Sequence, residues 1–242
     1  MMDPPAIFDL GTLAYRPAWD RQLEVHDQVS SGELPAGAIL LVEHPPVITI
    51  GRRANAARNL LASPAFLAAR GVEVVETDRG GDITFHGPGQ LVAYPILNLN
   101  AYRLNLHAYM RFLEEVVITT LAHFHIAAQR DPSPHPATGV WVEKVRAPFS
   151  PQRSETGTGT SSDLAKICAL GVKLRRWVTL HGLALNVTTD LSYFDLINPC
   201  GLSRPVTSMQ WLLGNRTPLM QMVKGTLIEA FTKHLPSSSS PP

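Results

Sequence analysis

The chain has 242 residues, a net charge of +1, 45% apolar residues and 17% charged ones. Acidic and basic side chains are interspersed, which leaves no electrostatic footprint for nucleic acid or an anionic membrane. No apolar run approaches the length of a bilayer span. This length is most economically one domain, here residues 1–235, with a substantial core.

Residues 1–10 carry Asp3 and Asp9 and lack a basic stretch followed by an apolar one, so they read as neither signal nor transit peptide. Two cysteines, Cys168 and Cys200, make no disulfide framework, and a reducing cytoplasm fits best. Residues 19–31 predict a short helix with Leu23, Val25 and Val29 facing inward. Residues 38–42 and 47–50 are apolar runs broken by Glu43-His44-Pro45-Pro46, which predicts two strands or one strand with a turn. Ser63-Pro64 is an N-cap and first-turn pair for a helix through Arg70, stopped by Gly71. Strands are expected at 72–76 and 90–99.

Residues 107–125 carry the clearest helical period, with Tyr109, Phe112, Leu113, Val116, Val117, Leu121 and Phe124 on one face. His123 and His125 near its end have no neighbouring carboxylate or cysteine, so no metal site is expected there. A strand follows at 138–143, centred on Trp141. Residues 145–163 are rich in Pro, Ser, Thr and Gly, and predict a mobile loop insertion. Residues 164–174 and 176–180 predict a hairpin, 181–187 a further strand, and 191–197 a short helical turn. A last helix runs from Thr217-Pro218 to Leu235, with Met222, Leu227 and Phe231 facing in, before a disordered tail at 236–242. Many short strands with a few attached helices indicate an α+β fold, a mixed sheet with packed helices.

Residues 79–90 form a polar, glycine-rich loop between two strand-like runs. Its four glycines let backbone approach a ligand closely, while Arg79, Thr84, His86 and Gln90 can converge on one small volume. Two ordinary hairpin turns would use the same residues. Cys200 lies in a Pro-Cys-Gly turn, accessible to a substrate, although a free cysteine is also a common small core residue. Lys166 sits in a run that is apolar on both alternating faces. Such a run belongs to a doubly covered strand, or to an edge strand whose lysine snorkels to water. A buried ammonium beside a thiol would favour the thiolate. Cys168, among apolar neighbours, reads as core. His86 and His181 each precede a glycine, and either could position a carbonyl, move a proton, or be structural.

These stretches together resemble the octanoyltransferases, also called lipoyl(octanoyl) transferases. The resemblance rests on Arg79-Gly80-Gly81, Thr84, His86-Gly87-Pro88-Gly89-Gln90 and Tyr94-Pro95. It extends to Glu43-His44-Pro45-Pro46, Thr49, Gly51-Arg52, and Thr138-Gly139-Val140-Trp141. Lys166 to Val172, His181 to Asn186 and Asn198-Pro199-Cys200-Gly201 complete it, in the family's order over residues 40–208. It implies a fold like the catalytic domains of biotin and lipoate protein ligases. It also implies octanoyl transfer from acyl carrier protein to a lysine of lipoyl domains, those of 2-oxoacid dehydrogenases and the glycine cleavage H protein. By the same resemblance Cys200 is the acyl-accepting nucleophile and Lys166 lowers its pKa. The acyl site would be lined by Arg79, Gly80, Gly81, Asp82, Ile83, Thr84, Phe85 and His86, by Ala169, Leu170 and Gly171, and by Gly182, Leu183 and Ala184. No cofactor or metal is called for, and a cytoplasmic monomer is expected.

The chemistry of the residues agrees with this. A thiolate matches a thioester donor, and an acyl-enzyme splits the reaction into two steps with ping-pong kinetics. Glycines allow backbone N–H groups to converge on the thioester oxygen, and burial of an octanoyl chain gains about 0.8 kcal/mol per methylene. The 145–163 insertion is longer than the family's usual connection. Two rival readings use the same fold, an ATP-dependent lipoate or biotin ligase and a non-catalytic module that binds lipoyl domains or acyl carrier protein. The ligase needs no nucleophilic cysteine, and the module would bind without turnover.

Overall fold

The computed structural model describes residues 3–134, 136–143, 164–198 and 204–236. The insertion at 145–163, Cys200 and the tail beyond Pro236 lie outside them. In chain order the strands are β1 (Ala6–Thr12), β2 (Ala38–Glu43), β3 (Val47–Ile50), β4 (Glu73–Glu76), β5 (Ile83–His86), β6 (Gln90–Ile96), β7 (Ala128–Gln129), β8 (Val140–Glu143), β9 (Leu164–Arg175) and β10 (Val178–Asn186). The helices are α1 (Tyr15–Ser31), α2 (Pro64–Ala69), α3 (Leu106–His123), α4 (Met209–Leu213) and α5 (Met220–His234).

A seven-stranded sheet runs β1-β2-β6-β10-β9-β8-β7, and a three-stranded sheet runs β4-β3-β5. Among the strands named here, β1 with β2 and β3 with β4 pair in parallel and the other pairs are antiparallel, so the fold is α+β as the sequence predicts. Strand periodicity separates two cores. In β2, Ala38, Leu40 and Val42 join Ala18, Val25 and Val29 of α1, while Ile39 and Leu41 face the side covered by α3 and α5. This double cover makes β2 and β6 continuous apolar runs.

A proline sits inside this central sheet. Pro95 of β6 pairs with Ile39 on one side, yet it has no N–H to offer β10 on the other. The β6–β10 register ends at Leu183 with Ala93, and the Thr179 hydroxyl bridges the gap, donating to the Pro95 carbonyl at 2.7 Å and accepting from Leu97 N–H at 2.9 Å. At this break His181 adopts φ 59°. The positive φ falls inside β10, at a residue that lines the cavity described below.

Most expected elements are present, with differences at their boundaries. Strand β1 was not anticipated, and α1 begins at Tyr15, four residues before the predicted start. Residues 176–187 do not split into two strands. Arg176 and Trp177 take φ 51° and 64°, forming the two-residue turn that matches sheet twist, and β10 continues unbroken from it. Helix α3 closes at His123, and its Asn105 side chain caps the start by accepting from Ala108 N–H at 2.8 Å. Met222 does not face in. The buried stripe of α5 is Val223, Leu227, Ala230 and Phe231, which turns Met222 to solvent at 55% exposure. Among the described residues no helix is long and apolar enough to cross a membrane.

Candidate active site

Backbone brings the two sheets together. Gly80 N–H donates to the Val172 carbonyl of β9 at 2.9 Å, and a Cβ on Gly171 would lie 2.9 Å from the Gly80 carbonyl oxygen. Glycine at 171 thus permits a contact that any side chain would block. A cavity of about 540 Å³ opens beside this junction, a size suited to a small acyl or cofactor-sized ligand. Its walls include residues 79–84 and His86, Ala169 to Gly171, Gly182 to Ala184, and Lys166. Segments at 79–86, 169–171 and 182–184, the first far from the other two in sequence, therefore meet around one space. Phe85 does not join them. It is buried on the far side of β5, stacked on Tyr193 with ring centroids 4.6 Å apart. Thr84 and His86 point the other way along the strand, while Phe85 packs with Tyr193 and Phe194.

Two side chains strap the 79–82 loop in place. Arg79 is buried and donates to the Thr49 carbonyl at 2.7 Å, and to the Thr49 hydroxyl from Nη2 at 3.0 Å and from Nε at 3.2 Å. Asp82 accepts from Ile83 N–H and from Asn59 Nδ2, both at 2.8 Å. The Asn59 carbonyl in turn accepts from Asn198 N–H at 2.7 Å. The loop is thereby linked to the chain just before Cys200.

Beneath the cavity lies a buried cluster of rings and amides. His86 Nδ1 donates to Gln90 Oε1 at 2.7 Å, and the Thr49 hydroxyl donates back to His86 Nε2 at 3.3 Å. Burial, with the neighbouring His44 and Arg79, pushes the His86 pKa down to about 3. His44 donates from Nδ1 to the Leu13 carbonyl and accepts from the Tyr94 hydroxyl, each at 2.7 Å, and burial takes its pKa to about 4. Both imidazoles are buried and hydrogen-bonded at both ring nitrogens, and His86 also lines the cavity. The chain of bonds continues from Gln90 Nε2 to Asn186 Oδ1 at 2.8 Å and from Asn186 Nδ2 to the Thr207 carbonyl at 3.0 Å.

His181 has a different partner. Its Nε2–H donates to Asp78 Oδ1 at 2.7 Å, and the Tyr15 hydroxyl faces its Nδ1 at 3.5 Å. Lys173 also donates to Asp78. The His181 hydrogen bond, with that of Lys173, holds the Asp78 carboxyl well below the usual carboxylate range despite partial burial. With both ring nitrogens occupied, His181 serves to hold this network. Sequence reasoning did not single out Asp78, Lys173 or Tyr15. Asp78 and Lys173 lie 95 positions apart in ordinary polar surroundings, and only the fold joins them.

Lys166 is half-buried on β9. Its Nζ donates to the Thr138 carbonyl at 3.1 Å and lies 4.6 Å from the Trp141 ring centre, a cation–π geometry. Apart from Lys166, strand β9 is buried from Leu164 to Cys168, and Lys166 with Ala169 to Val172 lines the cavity. Cys168 is buried, and burial pushes its thiol up to about 12, so it is an inert core residue. Cys200 lies outside the described residues. Arg204, four positions later, reaches the same Trp141 ring at 4.9 Å, and the Pro205 carbonyl accepts from Lys166 N–H at 2.9 Å. Among the described residues no group of three His, Cys, Asp or Glu is placed to hold a metal ion.

The sequence matches the model of the lipoyl protein ligase A/B catalytic domain over residues 14–232. An octanoyltransferase of Chloroflexus aurantiacus is 46% identical over 217 residues, covering 89% of this chain and 87% of the relative. Among solved structures, one reported for a bi-partite lipoate protein ligase and its E2 lipoyl domain from Thermoplasma acidophilum superposes with a TM-score of 0.64 at 14% identity, over 97% of this chain and 84% of that one. Biotin protein ligase from Aquifex aeolicus, in complex with biotin and ATP, gives a TM-score of 0.51 at 12% identity, over 95% of this chain and 70% of that one. These two likenesses establish the fold. Fold and family match together define a catalytic domain of the lipoyl protein ligase A/B class. Within that class, the chain belongs to the octanoyltransferase family of enzymes.

Proposed function

We propose that this enzyme takes an octanoyl group from acyl carrier protein and delivers it to a lysine of lipoyl domains, through a thioester on Cys200. The observation that carries the reading is Lys166. Its ammonium lines the cavity together with glycine backbone, apolar side chains and the polar residues of the 79–90 loop, and a cation at such a wall favours an anionic nucleophile. The Cys200 thiolate attacks the donor's thioester carbonyl. A carbon–sulfur bond forms, the carrier thiolate leaves and takes a proton, and the octanoyl chain remains on Cys200 in the cavity. The acceptor lysine, as free amine, then attacks this second thioester. An amide forms, the amine loses its proton to solvent, and the Cys200 thiolate is restored beside Lys166.

The acceptors in this reading are the lipoyl domains of 2-oxoacid dehydrogenases and the glycine cleavage H protein. The residues at 79–84 and 86, 169–171 and 182–184 hold the acyl chain, and the enzyme works as a cytoplasmic monomer of one domain. Because each sulfur ester is exchanged for another bond of acyl carbon, no nucleotide is consumed. The test is purified enzyme with octanoyl-acyl carrier protein and a lipoyl domain, without ATP. Octanoyl-lysine on the acceptor is the expected product. Transfer only from free octanoate with ATP, or acceptor binding without transfer, would overturn the reading.

A further inference from the structure

A buried carboxylate, Asp131, is bonded to the segment that carries the Thr138 carbonyl, the acceptor of the Lys166 ammonium. Asp131 Oδ1 accepts from Ser133 N–H at 3.0 Å, and its Oδ2 accepts from Ala137 N–H at 2.7 Å and from Arg204 Nη1 at 2.5 Å. The donors from Ala137, Ser133 and Arg204 outweigh the cost of burial and hold the carboxyl at about 2, so it is an anion at neutral pH. The loop it closes runs directly into Thr138, whose carbonyl receives the Lys166 ammonium. The arginine it anchors shares the Trp141 ring with that ammonium. Beyond Arg204 the chain lies along Lys166, with Thr207 N–H donating to the Lys166 carbonyl at 2.9 Å.

Gly139 completes the seat. It adopts φ 140°, and a Cβ there would meet Lys166 Cε at 3.1 Å and the Cys168 carbonyl oxygen at 2.9 Å. Its N–H donates to the buried Glu114 at 3.3 Å, and Glu114 is itself paired with Arg111 and Arg130. The lysine stem therefore crosses bare backbone, and its charged end is aimed by a carbonyl and an aromatic face. Both of those aiming groups are tied to Asp131, one through the 131–137 loop and one through Arg204.

We infer that Asp131 and Arg204 are positioning residues for Lys166: the Asp131–Arg204 pair fixes the Thr138 carbonyl and the guanidinium on Trp141, and so sets where the ammonium points. The pair also neutralises the Arg204 charge beside the ring that carries the ammonium. Neither residue touches the cavity, and both act through another group. This rests on the role given to Lys166 above.

The experiment compares Asp131→Asn, Arg204→Met and Lys166→Met in steady-state octanoyl transfer from octanoyl-acyl carrier protein across pH, with melting temperatures recorded alongside. A displacement of about 1 Å at a reacting group costs up to about 100-fold in rate. Arg204→Met and Asp131→Asn are expected to lower kcat by about 10- to 100-fold with little change in KM. Their acidic limb of kcat/KM should move to higher pH, in the direction given by Lys166→Met. Unmoved pH profiles in both variants, whether or not kcat falls, would overturn the inference. If Asp131→Asn does not fold, Arg204→Met decides the matter. Full activity in Lys166→Met would instead remove the role of Lys166 itself, which separates the two failures.

Discussion

Gln90 and Asn186 meet across the β6–β10 ladder, with Gln90 Nε2 donating to Asn186 Oδ1 at 2.8 Å. This one contact joins the buried histidine layer to the backbone that carries Lys166. His86 is fixed by Gln90, Asn186 holds the Thr207 carbonyl, and Thr207 N–H holds the Lys166 carbonyl. The floor of the cavity and the strand bearing its ammonium are thus one hydrogen-bonded unit.

Asn186→Leu should break that unit at its centre. It leaves the Thr207 carbonyl and one Gln90 proton without these partners in a buried setting, at a cost of about 1–3 kcal/mol for each buried polar group left unpaired. For a chain of this size each kcal/mol shifts the melting point by about 2–4 °C. Calorimetry should therefore show a fall of several degrees, larger than for an Asn substitution on the surface. An unchanged melting point would contradict the linkage.

The two low-pKa histidines predict an acid-sensitive fold well above the carboxylate range. Unfolded, His44 and His86 bind protons near 6.5, whereas folded they bind them only near about 4 and about 3. The unfolded state therefore holds more protons between those limits, and stability falls as pH drops below about 6.5. Each histidine contributes a slope of up to about 1.4 kcal/mol per pH unit. Urea unfolding at pH 7, 6 and 5 should show this decline, and His44→Gln should remove part of it. A stability independent of pH over that window would show that the rings do not stay neutral in the folded protein.

Ala169 lies on the cavity wall, so its size should set the acyl chain the enzyme accepts. Ala169→Phe fills space that methylenes of the substrate would occupy. Each methylene excluded from an apolar site costs about 0.8 kcal/mol, roughly fourfold in affinity. Turnover of octanoyl donors should fall more than turnover of hexanoyl donors. Equal losses for both chain lengths would place the acyl chain elsewhere.

Much of this arrangement is legible in the sequence, and the limits are physical. Glycine spacing at 79–81, 169–171 and 182–184 marks close backbone approach, and the fold brings these segments around one cavity. The period of α3 places its buried face correctly, from Tyr109 to Leu121. Phe85 shows where motif reading overreaches, because a continuous motif crosses a strand whose alternate residues point away from the site. The distant partners of Asp78, Tyr15 and Asp131 lie 73 to 166 positions away, so nothing local marks the contacts they make. His181 takes its positive φ where β10 passes Pro95 of the neighbouring strand, a juxtaposition invisible in either segment alone.

The central claim is a sulfur ester on one side chain. Wild-type enzyme mixed with octanoyl-acyl carrier protein in the absence of acceptor should gain the mass of one octanoyl group, and peptide mapping should locate it on Cys200. Adding a lipoyl domain should discharge that mass onto the acceptor lysine, and Cys200→Ser should abolish the exchange. Octanoyl transfer that proceeds at the wild-type rate in Cys200→Ser, with no adduct at any point, would contradict the account.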